Sequence, residues 1–242
     1  MSLLKELIKI ININSSEYLI NNGSFLINYS PKFGRPIWTA YSLTRNDILN
    51  QHGGRKMFVI DKRLKTKHIY QLEPNSKIFG KHFSRGHLVP AFMMSHNKDN
   101  LLNYNGIHPS PWYRTFQMSN VIPQNKKFNM GKWHMLEYFT KNIILQNNHN
   151  VHVIVGCESQ NFSNKFFFSE KNLETIDFLH NYQMVWVDDK SEYFYYIPNI
   201  MYKVIITPYE VYCYIGTNDS NQIIKSVSLD FLEKLIEKKL LI

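Results

Sequence analysis

The sequence predicts an α+β domain in which helices flank a central, mostly antiparallel sheet. Three observations lead to this prediction. Many short segments have the composition of strands, two or three longer segments have the spacing of helices, and no repeat or Pro/Gly/Ser-rich linker divides the 242 residues. We therefore expect a single domain over residues 1–242, a length that can bury one sizeable core.

The predicted strands are short segments that either alternate between apolar and polar residues or are apolar throughout. Residues 38–43 alternate, as in a half-buried strand, whereas residues 151–156 have the composition of a fully buried strand. The complete set of predicted strands is 38–43, 57–60, 82–87, 151–156, 184–187, 203–206 and 211–214.

Two segments have apolar residues at helical spacing. Residues 131–146 carry Trp133, Leu136 and Ile143 on one face, and residues 229–240 form a terminal amphipathic pattern. The polar segment 97–107 contains an Asn-Gly pair, which is typical of a loop or of a short helix followed by a turn.

The composition favours a polyanionic partner. The chain has 28 Lys and Arg against 19 Asp and Glu, so its formal charge is +9, and nucleic acid is the commonest partner of such a surplus. A basic surface that serves only solubility explains the charge equally well at this point.

Cysteine content and hydropathy exclude several classes of protein. Two cysteines, Cys157 and Cys213, cannot form an all-cysteine zinc site, and we expect two buried thiols. Charged residues interrupt the apolar segment 1–14, so we see no secretory signal. No run approaches the roughly 20 apolar residues that span a bilayer. The sequence therefore predicts a soluble protein without a membrane partner, and its compartment stays open.

The residues 84–91, which read Ser-Arg-Gly-His-Leu-Val-Pro-Ala, contain the first candidates for catalysis. A neutral imidazole at His87 suits proton removal from water, and the guanidinium of Arg85 suits phosphate oxygens. A histidine that merely fills a surface or core position is the alternative.

A second group of candidates lies downstream. If residues 129–146 formed one helix, Asn129 and Glu137 would lie about 80° apart on one face, since each residue turns the helix by about 100°. An amide oxygen and a carboxylate together suit a hydrated divalent cation such as Mg²⁺. As alternatives, Asn129 would cap the helix, Glu137 would be an ordinary helix residue, and Asn120 would form a turn.

Taken together, these segments resemble the DNA/RNA non-specific endonuclease family, the ββα-metal nucleases. The family's Asp-Arg-Gly-His signature corresponds to residues 84–87, and its Ser-Asn-x-x-Pro-Gln segment corresponds to residues 119–124. The family's Asn-x-x-x-Trp-x-x-Leu-Glu pattern corresponds to residues 129–137. The resemblance is clearest over residues 25–210 and implies a ββα-metal core.

The resemblance also implies a role for each matched residue. His87 would be the general base, Arg85 would stabilise charge on the phosphate, and Asn120 would support the His87 region or the scissile phosphate. Arg55 matches a substrate-binding arginine loosely. The implied reaction is hydrolysis of DNA and RNA, regardless of the sugar, that leaves 5′-phosphate ends.

The implied cofactor is Mg²⁺, with Mn²⁺ as an alternative. Asn129 would be the direct metal ligand, and Glu137 would hold water of the metal's hydration shell by hydrogen bonds. A homodimer is also left open, because relatives are often dimers, although the sequence carries no interface signal.

Two features depart from the family pattern. Ser84 stands where the family has an acidic residue, and residues 95–110 look like an insertion. We expect the first difference to affect rate more than reaction type. The insertion either shapes substrate access or is a passive loop.

Two other functions compete with a nuclease. One is a non-catalytic nucleic-acid-binding module on the same fold, and the other is a phosphodiesterase for a small substrate. The presence of both His87 and Asn129 favours catalysis, and the charge of +9 favours a polymeric substrate.

Overall fold

The computed structural model describes residues 3–13, 17–49, 57–95, 110–158, 183–186 and 194–242. The strands are β1 (Tyr18–Asn21), β2 (Phe25–Ser30), β3 (Arg35–Leu43), β4 (Phe83–His87), β5 (Val121–Asn125), β6 (Val151–Glu158), β7 (Gln183–Trp186), β8 (Phe194–Ile197), β9 (Ile200–Ile206), β10 (Val211–Thr217) and β11 (Ile224–Val227). The helices are α1 (Leu3–Ile8), α2 (Arg45–Leu49), α3 (Lys62–Lys65), α4 (Pro111–Thr115), α5 (Lys126–Met130), α6 (Lys132–Gln146) and α7 (Leu229–Leu235).

A large antiparallel sheet organises the fold. In the described part of the chain it has seven strands in the order β1-β2-β3-β6-β9-β10-β11. Two separate two-stranded sheets pair β4 with β5 and β7 with β8, both antiparallel. This arrangement confirms the predicted α+β class with a mostly antiparallel sheet and flanking helices.

The period-2 alternation of strand side chains gives the sheet two buried faces. Odd-numbered residues of β6, such as Val153 and Val155, pack in a core that includes Trp133 and Ile144 of α6. Ile154 points to the other core, which includes Leu232 of α7. Helices therefore cover both faces of the sheet, and the same alternation places Lys203 of β9 on the α6 side.

The β4–β5 pair and the two helices that follow it form a ββα unit. Asn125 caps α5, since its side chain accepts hydrogen bonds from the backbone N–H groups of Lys127 and Phe128. Gly131 separates α5 from α6, and a Cβ at that position would lie 2.6 Å from the carbonyl oxygen of Lys127. The chain can make this tight junction because residue 131 is a glycine.

Most of the predicted elements are present, with two corrections. The structure confirms seven predicted elements to within three residues at each end. They are the helix over residues 131–146 and the strands over 38–43, 82–87, 151–156, 184–187, 203–206 and 211–214. The strand predicted over 57–60 is wrong, because only Val59 forms a bridge, to Gln117.

The terminal helix is also shorter than predicted. It ends at Leu235, and Glu237 takes a left-handed φ of 52° that turns the chain back. Cys157 and Cys213 are both buried and free, as expected. The segment 97–107, Arg55 and all but the two ends of the 95–110 insertion lie outside the described residues.

Candidate active site

The β4–β5 pair positions the segment that carries His87 and Arg85. Gly86 lies opposite Ile122, and a Cβ on Gly86 would overlap the buried side chain of Gln124. Glycine is therefore required here because a neighbouring side chain occupies the space, which fixes how closely the two strands approach.

Two phenylalanine rings hold the imidazole of His87. Its centroid lies 5.0 Å from the ring of Phe58 and 5.1 Å from the ring of Phe116, with Phe116 edge-on. The side chain is half-buried, so one side of the ring is packed and the rest faces a cavity. This packing limits the rotamers of His87.

Arg85 is fixed on the same wall of the cavity. Its Nε donates to the carbonyl oxygen of Pro74 at 2.6 Å, and its guanidinium lies over the rings of Phe79 and Phe58, at 4.9 and 5.6 Å from their centroids. Such cation–π contacts orient the planar group without neutralising it. Arg85 therefore presents an oriented guanidinium on the wall of the cavity that carries His87.

Asn120 lies behind this wall and is completely buried. Its Oδ1 accepts from the N–H of Val89 at 3.0 Å, and its Nδ2 donates to the carbonyl oxygens of Val89 and Thr115. The two bonds to Val89 hold the backbone just after His87, and the third ties Asn120 to α4 at Thr115. Of the two roles implied for Asn120, this geometry supports positioning of the His87 segment and not contact with phosphate.

Asp61 fixes Ser119, the residue before Asn120, by a hydrogen bond. The Asp61 carboxylate accepts from the Ser119 hydroxyl at 2.6 Å and from the Arg63 guanidinium at 2.6 and 2.9 Å. Because Asp61 is fully buried, losing either partner would leave a poorly compensated charge. The sequence analysis placed Ser119 in a family motif but assigned no role to Asp61 or Ser119.

Asn129 does not begin the long helix. It lies near the end of α5, and Gly131 separates it from α6, so Asn129 and Glu137 do not belong to one continuous helix. The expectation of a shared helix face is therefore wrong, although both residues line one cavity. The backbone junction at Gly131, and not helical periodicity, brings them there.

Ser84 contacts the predicted metal ligand directly. The Asn129 Nδ2 donates to the Ser84 hydroxyl at 3.0 Å, and that hydroxyl donates to the carbonyl oxygen of Gln124. Among the described residues, Asn129 Oδ1 accepts no hydrogen bond. Ser84 thus fixes the amide so that its oxygen, the atom that suits a hard cation, is the one left to the cavity.

Glu137 has two basic neighbours that sequence reasoning did not select. His134, one helical turn earlier, has its Nδ1 3.4 Å from Glu137 Oε2, and this hydrogen bond raises the pKa of the imidazole. The i,i+3 spacing on a predicted helix could have revealed this pair. Lys203 could not be found in this way, since it comes from a distant strand.

Lys203 is fully buried beneath α6. Its Nζ lies 4.9 Å from the centroid of the Trp133 ring and forms no hydrogen bond within the described residues. Burial lowers the pKa of Lys203 to about 8, and the negative charge of Glu137 partly opposes that shift. Lys203 is therefore a poorly compensated cation next to the site.

One cavity of about 1040 Å³ collects these side chains. It is lined by several aromatic rings and by Ser84, Arg85, His87, Asn129 and Glu137. Asn120 does not reach it, and Arg55 lies outside the described residues. The residues come from β4, α5 and α6, so only the folded chain brings them together.

The chemistry of the cavity fits a hydrated divalent cation. Within the described residues there is no group of three or more His, Cys, Asp or Glu side chains of the kind that encloses zinc. The cavity instead offers an amide oxygen and a carboxylate, a sparse oxygen donor set of the kind that Mg²⁺ uses when it keeps most of its waters.

Comparison with known proteins places the chain in a family. The family model described as DNA/RNA non-specific endonuclease matches residues 6–235. The chain belongs to the DNA/RNA non-specific endonuclease family. As a member of this family it is a nuclease, a hydrolase that acts on phosphodiester bonds.

Solved structures support the fold of this endonuclease. A chain in the crystal structure of the EndoG/EndoGI complex, a study of the mechanism of EndoG inhibition, is similar with a TM-score of 0.55 and 16% identity. The match covers 93% of the endonuclease and 84% of the other chain. A search of curated proteins found no significant match. Across the described helices, none has the length and apolar content to cross a membrane.

Proposed function

We propose that this endonuclease is Mg²⁺-dependent and cleaves both DNA and RNA without regard to the sugar. The observation that carries the proposal is the cavity itself. An imidazole, a guanidinium, an amide oxygen and a carboxylate line one space although they come from three separate elements. Those groups match the needs of phosphodiester hydrolysis by an activated water molecule.

In the proposed reaction His87 takes a proton from the attacking water. Arg85 binds the non-bridging oxygens of the phosphate and stabilises the negative charge that grows on them. The new P–O bond forms as the P–O3′ bond breaks, which leaves a 5′-phosphate and a 3′ oxygen that takes a proton from water. The phenylalanine rings around His87 and Arg85 keep both groups oriented throughout.

Asn129 and Glu137 would hold the cation, for which Mn²⁺ is an alternative to Mg²⁺. Asn129 would contribute its Oδ1, because Ser84 engages its Nδ2. Glu137 would hydrogen-bond water around the ion, and Asn120 would keep the His87 segment in place. A bound cation would offset negative charge on the phosphoryl and leaving oxygens. A single domain over residues 1–242 and a homodimer remain predictions.

One assay separates this proposal from its two rivals. Supercoiled plasmid, single-stranded RNA and a small chromogenic diester are each incubated with the protein, with Mg²⁺ or with EDTA. We expect both polymers to be cut only with the metal and the small diester to be cut poorly. Binding without cleavage would support a non-catalytic module, and preferential cleavage of the diester would support a small-substrate phosphodiesterase.

A further inference from the structure

Three aromatic side chains form a cluster beside Glu137 that the proposed reaction does not use. Phe92 and Tyr138 are stacked, with centroids 5.8 Å apart and planes inclined by 20°. His134 stands edge-on to both, at 6.3 and 4.8 Å. We call Phe92, His134 and Tyr138 the aromatic cluster. Phe92 and His134 line the catalytic cavity.

The aromatic cluster is accessible as well as ordered. Tyr138 is 51% exposed, and the side chain of His134 is 45% exposed. Large rings on the outer surface of a helix normally give way to charged residues, because exposed apolar area is unfavourable in water. Rings that are held rigid by each other yet remain exposed beside an active site suggest a ligand that stacks on them.

The other aromatic rings that line the cavity already contact His87 and Arg85. Phe58 and Phe116 pack against His87, and Phe58 and Phe79 hold Arg85. In the described part of the chain, the aromatic cluster packs against neither His87 nor Arg85. It adjoins the site through the hydrogen bond between His134 and Glu137. A flat group that stacks on the cluster would therefore lie next to the predicted metal-binding residues.

We propose that the aromatic cluster binds an unpaired nucleobase of the nucleotide next to the scissile phosphate. The proposal rests on the proposed function, since it places a nucleic acid in this cavity. Every base has a flat face that stacks on aromatic rings, so the contact is tolerant of sequence. In a regular duplex those faces are covered by neighbouring bases, and exposing one requires unstacking. The enzyme should therefore prefer single-stranded or locally unpaired substrates.

Tyr138→Ala tests this proposal, and Phe139→Ala is the matched control. Phe139 is the next residue of α6 and is 42% exposed, but its ring contacts Tyr212 and Tyr214 and does not belong to the aromatic cluster. The kcat/KM values are measured on a mixed-sequence single-stranded 20-mer and on the duplex of the same sequence. Tyr138→Phe keeps the ring and should behave as the wild type.

We expect the wild type to favour the single strand and Tyr138→Ala to lower the ratio of single-strand to duplex kcat/KM about fivefold or more, the usual size of a lost base–aromatic stack. Phe139→Ala should leave the ratio unchanged. An unchanged ratio in Tyr138→Ala, or an equal fall on both substrates, would overturn the stacking surface.

A binding measurement keeps this test independent of cleavage. In the His87→Ala background, fluorescence anisotropy compares a single-stranded oligonucleotide with the same strand in which every second base is replaced by an abasic site. We expect abasic substitution to weaken binding to the His87→Ala protein that retains Tyr138. The same substitution should weaken binding less when Tyr138→Ala is added. If the wild type cuts no nucleic acid, the proposed function fails, and this comparison alone decides the stacking surface.

Discussion

On one face of the seven-stranded sheet, α6 covers a layer that contains Lys203 and Glu137. On the other face, α1 and α7 cover a layer that contains Glu233. Both faces are apolar, and each contains buried charged side chains. They differ in how the buried charge is compensated, and the face with the poorer compensation is the one that carries the proposed site.

On the α7 face the buried charge has direct partners. Glu233 Oε1 accepts from the backbone N–H groups of Leu240 and Leu241, and Oε2 lies 3.3 Å from the Nζ of Lys239. These contacts hold the chain that follows the helix. Among the described residues, Lys203 on the α6 face has only the face of Trp133 and the more distant charge of Glu137. Proteins commonly accept such a cost near functional sites.

The largest expected effect belongs to the α6 face. His87→Ala should lower the cleavage rate by about 10²–10⁴, the usual contribution of a general base, with little change in DNA affinity or thermal stability. Initial rates on plasmid DNA, anisotropy and thermal melting measure the three quantities. His149→Ala, which removes an exposed imidazole bonded to Tyr209, is the control. A folded His87→Ala protein that retains more than about a tenth of the activity would contradict the assignment.

A matched pair of truncations compares the two faces directly. Leu232→Ala on α7 and Leu136→Ala on α6 both remove a buried leucine and should each cost about 2–5 kcal/mol in the free energy of unfolding. The kcat/KM should fall only in Leu136→Ala, because Leu136 lies directly before Glu137. Urea denaturation and kinetics at a temperature where both variants are folded provide the comparison. Equal kinetic effects would show that the two faces are not functionally distinct.

The poorly compensated charge predicts a pH dependence. The pKa of Lys203 is about 8 in the folded protein and about 10.5 when unfolded, so the unfolded chain binds more protons between these values. The buried cation therefore destabilises the fold fully below pH 8, and stability rises as pH increases towards 10.5. Relative to Lys203→Met, the free energy of unfolding of the wild type should rise by about 2–3 kcal/mol between pH 7 and pH 10.

Urea denaturation at both pH values, without added divalent metal, measures this gain. Lys234→Met, which removes an exposed cation from α7, controls for the loss of a charge. A constant difference between wild type and Lys203→Met across the range would mean that Lys203 is better compensated than its surroundings indicate.

The smallest effect concerns the cation site. Glu137→Ala should weaken the apparent affinity for Mg²⁺ about 10–100-fold, and excess Mg²⁺ should restore much of the rate, because mass action offsets a lost water-mediated contact. Asn129→Ala should be impaired more severely and recover less, since a direct ligand also sets geometry. Magnesium titrations of cleavage rate measure both. Normal titration and full activity in Asn129→Ala would exclude it as a ligand.

Local patterns in the sequence were enough for six of the eleven described strands and for the two longest described helices. Alternation along residues 151–156 and helical spacing along 131–146 predicted β6 and α6, since both patterns depend on which side chains must leave water. The sequence also supplied the motif residues His87, Asn129 and Glu137. It did not predict β1, β2, β5, β8 or β11, which are only four to six residues long and give a short window for recognising alternation.

The tertiary structure decided the geometry of the site. The sequence treated Asn129 and Glu137 as neighbours on one helix, whereas the close approach at Gly131 breaks that helix and brings both to the cavity. The bond between Ser84 and Asn129 spans 45 residues, and Lys203 reaches α6 from a distant strand. Periodicity reports which residues are buried, but the partner of a buried polar group depends on how separate elements pack, and only the folded chain determines that.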